Sequence, residues 1–140
     1  MNTLRNHWYR PIPLLLVMAL IFYQSHQPGD SFSLPRIAHI DKILHMLVYT
    51  VLGLAVLFAL PPVWRQRHPV WAGMIVILFC LLHGIADEFH QSFIPGRFPS
   101  GADVVADTLG GVLAVIIGWG WHHTQTGKIA REENEYTHDR

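Results

Sequence analysis

HGIADEFHQSFIPGRFPSGADVVAD, residues 83–107, lies between two apolar runs, 70–82 before it and 108–121 after it. Within it stand four carboxylates (Asp87, Glu88, Asp103, Asp107), Arg97, two histidines (His83, His90) and Gln91. Ionisable groups at membrane depth are costly and usually functional. The stretch therefore reads as a polar site held between two membrane-spanning segments. It marks where recognition or chemistry belongs without naming the reaction.

Composition agrees. Apolar residues make up 51% of the 140-residue chain and charged residues only 14%, about half the share usual in soluble domains. The charges are also gathered between long windows that hold none, the pattern of an integral membrane protein. Length suits a single domain, 1–140. A formal net charge of zero gives no basic field for nucleic acid, which is not an expected partner. The lone Cys80 excludes an internal disulfide and a cysteine-based zinc site, and reads as a small hydrophobe.

Working outward, the chain divides into four apolar segments. Arg5 and Arg10 precede a first helix at about 11–25. Phe22, Tyr23 and Gln24 lack the small residues of a signal-peptide cleavage site, so this helix is expected to be retained. Pro28, Gly29 and Pro35 spell a loop. The second helix, about 42–60, is stopped by Pro61-Pro62; its apolar run 43–60 spans about 27 Å, close to the hydrocarbon thickness. A short loop at 61–69 leads to the third helix, about 70–91, and the loop 92–101 to the fourth, about 103–121. Trp119 and Trp121 are placed as interfacial anchors. A polar tail, 122–140, is expected to be only partly ordered.

The expected fold is an all-α integral membrane bundle of four transmembrane helices. Both termini are expected to be cytoplasmic. That orientation puts Arg5, Arg10, Arg65, Arg67, Lys128, Arg131 and Arg140 inside and only Arg36, Lys42 and Arg97 outside.

Alternation then brings the start of the second helix, the end of the third and the start of the fourth to one face. Asp41, His45 and Tyr49 form one row at spacing four, and His83, Asp87 and Gln91 a matching row. Asp103 and Asp107 open the fourth helix beside a small-residue stripe, Ala106, Gly110, Ala114 and Gly118, of the kind that lets helices pack closely. Taken singly, these residues have plain readings. Asp103 and Asp41 suit helix N-caps, Lys42 snorkels, and Arg97 could fasten its loop by pairing with Asp87 or Glu88. Taken together they favour a pocket. Paired carboxylates could divide acid and base roles, Arg97 and Lys42 could hold an anion, and His45 or His83 could relay protons. His45, Asp87, Glu88 and His90 could bind a divalent ion, but no compact metal motif is present and no metal is expected; cofactors are left open.

Three blocks carry a family resemblance: D-K-x-x-H-x-x-x-Y at 41–49, D-E-x-x-Q-x-F-x-P-G-R at 87–97 and S-x-x-D-x-x-x-D-x-x-G at 100–110. Together they resemble the VanZ-like membrane proteins over roughly residues 24–121, the second block being the specific part. Family members often have Asn where this chain has Asp107, which could instead carry a proton here. The resemblance implies Asp41, Lys42, His45, Asp87, Glu88, Gln91, Arg97 and Asp103 as signature positions. It implies a multi-pass protein of the bacterial inner membrane with an envelope role, and a link to low-level resistance to the glycopeptide teicoplanin. The expected function is an outward-facing pocket that binds or modifies an anionic envelope precursor or lipid, with Glu88, Asp87 and His45 as candidate catalytic groups. The alternative is a non-catalytic accessory protein whose charges hold the bundle and whose glycine stripe docks another membrane protein.

Overall fold

The computed structural model describes residues 8–29 and 40–138, with side chains described as far as residue 120. Arg5, Arg36, the tail side chains and most of the loop between the first two segments lie outside the described residues. All regular structure among the described residues is helical: α1 (Pro11–Ser25), α2 (Ile40–Ala59), α3 (Pro62–Arg67), α4 (Pro69–Gln91) and α5 (Gly101–His138). α2, α4 and the Gly101–Gly120 part of α5 are long and apolar enough to cross a membrane. α1 is apolar but has only 15 residues, about 22 Å of helix against a core of about 30 Å.

Two stretches differ from expectation. The loop expected at 61–69 contains α3. Pro61-Pro62 does stop α2, but Pro62 also begins the next helix, where its missing N–H leaves no bond unmade. α5 does not end near Trp121 and continues to His138. Lys128, Ala130, Arg131, Glu132 and Glu133 are good helix formers, and extending an existing helix avoids the cost of nucleation.

α5 is the centre of the bundle. α2 packs along one side of it and α4 along another, while α1 lies on α2 and reaches α4. Small residues make this possible. A Cβ on Gly110 would stand 2.5 Å from the Met46 carbonyl oxygen and 2.9 Å from the Thr50 nitrogen, so α5 meets the backbone of α2 there. Ala106, Ala114, Ala72 and Gly84 are likewise buried, whereas Leu15, Leu16, Val51, Leu78 and Ile116 point outward. Bulky apolar groups outside and small ones inside suit a lipid environment, where close van der Waals contact holds helices together. The stripe expected to serve packing or partner docking is used within the molecule, where Gly110 and Gly118 face α2.

The C-terminal end of α2 is closed by two arginines. Arg10, buried beside Phe58 with its guanidinium 4.6 Å from the ring centroid, donates to the Leu60 carbonyl at 3.1 Å. Arg65 donates to the Leu57 carbonyl at 2.7 Å. The last carbonyls of a helix have no intrahelical donor and attract cations. Burial, with Arg10 nearby, lowers the Arg65 pKa from its ordinary value.

Candidate functional site

At the other end, side chains from α2, α4 and α5 converge. Lys42 near the start of α2 bonds Asp103 of α5, and also lies 2.9 Å from Asp41. One turn deeper, His45 Nδ1 is 3.0 Å from Oδ1 of Asp107, which is fully buried. Deeper again, the Tyr49 hydroxyl is 3.0 Å from His83 Nδ1. α2 thus meets α5 through Lys42 and His45, and α4 through Tyr49. Along α4, Gln91 Nε2 donates to Asp87 Oδ2 at 2.9 Å, one turn back, and approaches Ser25 Oγ of α1 at 3.4 Å.

Asp103 is not the N-cap of α5. Ser100 takes that place, its hydroxyl accepting from the Ala102 N–H at 3.2 Å, which frees the Asp103 carboxylate for Lys42. Ser100 also donates its own N–H to Glu88 Oε2 at 2.7 Å, joining the ends of α4 and α5. The sequence alone marks neither Ser25 nor Ser100 as a site residue. Ser100 had a signal in S-x-x-D before an apolar run; Ser25 had none.

Pro95-Gly96 sets the position of Arg97. The Arg97 N–H bonds the Ile94 carbonyl at 3.2 Å across a turn in which Gly96 has φ of 74°, the arrangement of a type II turn with Pro then Gly at its centre. From there Arg97 donates through Nε to the Gln27 carbonyl at 3.1 Å and through Nη2 to the Gln24 carbonyl at 2.9 Å. The expected pairing of Arg97 with Asp87 or Glu88 is not formed. The turn carries the guanidinium to the end of α1, where the Gln24 and Gln27 carbonyls take it.

A cavity of about 440 Å³ opens between α1, α2 and α4. Its lining combines apolar Leu20, Ile21, Leu44 and Val48 with polar Asp41, His45, Asp87, Gln91 and Arg97. Lys42, Glu88, Asp103 and Asp107 are not in its lining and stand behind His45.

Among the described residues, two buried oxygens have no hydrogen-bond partner, Glu88 Oε1 and Asp107 Oδ2, as do the buried Nε atoms of Arg10 and Arg65 at the opposite end. His45, Glu88 and Asp103 each place one potential ligand atom within 4.8 Å of the others. The metal set considered from sequence is not the one assembled. His90 turns to α1, where it lies 3.2 Å from His26 Nδ1 and packs on Phe22, and Asp87 is held by Gln91.

No curated protein and no solved structure matches the chain. The family model described as VanZ/LLP1 matches residues 12–122, which include every residue named in the site. The chain belongs to the VanZ/LLP1 family.

Proposed function

We propose that the protein spans the bacterial inner membrane four times, with both termini cytoplasmic, and binds an amphipathic cell-envelope molecule in its outward-facing cavity. The observation that carries this reading is the mixed lining of the cavity: Leu20, Ile21, Leu44 and Val48 together with Asp41, His45, Asp87, Gln91 and Arg97. An apolar surface beside a few directed polar groups suits a lipid tail joined to a polar head. Arg97 binds α1 through Nε and Nη2, leaving Nη1 for an anionic headgroup. Lys42, behind the cavity, keeps the local field from being wholly negative. Asp87, Glu88 and His45 are the acid–base candidates should the bound molecule be modified. A shift in teicoplanin susceptibility would then be a by-product of an altered envelope. The accessory-protein reading loses its docking face, because the glycine stripe lies against α2.

Native mass spectrometry of protein extracted from its own membranes tests this, beside Arg97→Ala and Val48→Trp. The first removes the headgroup anchor and the second enlarges an apolar lining residue without replacing a polar one. A discrete envelope molecule should accompany the wild type and be depleted from both variants. The same bulk lipids on all three would refute the cavity reading.

A further inference from the structure

We propose that His45, Glu88 and Asp103 form a binding site for a divalent transition-metal cation, behind the cavity wall at the junction of α2, α4 and α5. The three residues come from three helices and bring one ligand atom each within 4.8 Å of the others. Ligand atoms around a cation bound at about 2.1 Å stand roughly 3–4 Å apart, so modest carboxylate rotations complete the set.

Existing hydrogen bonds leave each of the three residues a ligand atom. Glu88 is 6% exposed; its Oε2 accepts from Ser100, and its Oε1 has no partner. A buried carboxylate oxygen without a partner carries a desolvation cost that a ligand would offset. Asp103 gives Oδ1 to Lys42, leaving Oδ2. His45 faces Asp107 through Nδ1, leaving Nε2. A metal-binding histidine commonly donates its second ring N–H to a carboxylate, which fixes the tautomer and directs the other nitrogen at the cation. The wholly buried Asp107 occupies that position behind His45.

Charge points the same way. Of the carboxylates Asp41, Asp87, Glu88, Asp103 and Asp107, Asp41 and Asp103 pair with Lys42 and Asp107 with the His45 imidazole, whereas Arg97 is bound to α1 carbonyls, so among the described residues carboxylates outnumber the cations that meet them. One imidazole and two carboxylates suit Zn²⁺ or Mn²⁺ better than Mg²⁺ or Ca²⁺, which prefer oxygen alone. Three protein ligands leave room for water or another ligand. The site does not depend on what fills the cavity, with which it shares only His45. Asp87 would then be the cavity's remaining acid–base group.

The test is elemental analysis of detergent-purified full-length protein, isolated through a tag without histidine. The protein is stripped with EDTA and titrated separately with Zn²⁺ and Mn²⁺. Wild type should retain a single equivalent of one of them and gain thermal stability on binding. Glu88→Gln and Asp103→Asn should each weaken binding by at least about tenfold, while His26→Gln, at the exposed His26–His90 pair, should leave it unchanged. Absence of stoichiometric metal from the wild type overturns the proposal even if a variant fails to fold. So does metal retained by Glu88→Gln but lost from His26→Gln.

Discussion

The two ends of the bundle both bury polar groups, and they treat them differently. At the C-terminal end of α2, Arg10 and Arg65 direct donors onto the Leu60 and Leu57 carbonyls, partners that every helix end supplies. At the opposite end, Glu88 and Asp107 each retain a buried oxygen with no partner. Arg97 sits at that end but behaves like the other two arginines, binding the closing carbonyls of α1. These three arginines fasten helix ends. Each end leaves buried atoms without a partner, Nε of Arg10 and of Arg65 at one and carboxylate oxygens at the other, but only the carboxylate end offers lone pairs that converge with an imidazole, and this distinguishes a site from a brace among the described residues.

The largest stability effect should come from the brace. Arg10→Ala removes a buried charged donor and its stacking on Phe58, and should cost about 2–3 kcal/mol. Thermal unfolding in detergent should record the loss, while binding at the other end stays intact. Lost binding with unchanged stability would erase the distinction between the ends.

Gly96→Ala comes next. A side chain at φ of 74° is disfavoured by about 1–2 kcal/mol, and relief of that strain would move Arg97 away from α1. Hydrogen exchange should rise in the last turn of α1. Unchanged exchange would show that other contacts, such as His26–His90, hold α1 in place.

Much of this contrast is readable in the sequence, for a physical reason. Rows at spacing four survive folding because helix geometry is local, and Asp41, His45 and Tyr49 or His83, Asp87 and Gln91 need only a helix to align. Alternating spans then bring the rows to one end. Choice of partner is not local. Whether Arg97 meets a carboxylate or a carbonyl depends on the Pro95-Gly96 turn and on the docking of α1. The grouping of His45 with Glu88 and Asp103, in place of Asp87 and His90, requires the rotation of three helices about their axes. Ser25 offers no signal, because a serine at the end of an apolar helix is unremarkable until Gln91 approaches it. The helix in 61–69 was hidden by two prolines that both end one helix and begin another.

A smaller effect sharpens the boundary between brace and site. Tyr49→Phe removes the hydroxyl facing His83 and should cost about 1 kcal/mol. Because the pair lies deeper than His45, metal affinity should hardly change. A loss comparable with that of Glu88→Gln would extend the site down to His83.

The most direct measurement is the unfolding temperature of Glu88→Gln beside wild type, in detergent with excess chelator. The amide oxygen can still accept from Ser100, and the substitution removes a buried, incompletely paired charge. The expected result is an unfolding temperature equal to or above that of wild type, in a variant that has lost its metal. Stabilisation at the expense of function is what removing a strained binding group produces. A fall of about 5 °C or more, on the order of 1–2 kcal/mol for a chain of this size, with binding unchanged, would contradict it. Glu88 would then be part of the brace, and both ends of the bundle would serve one purpose.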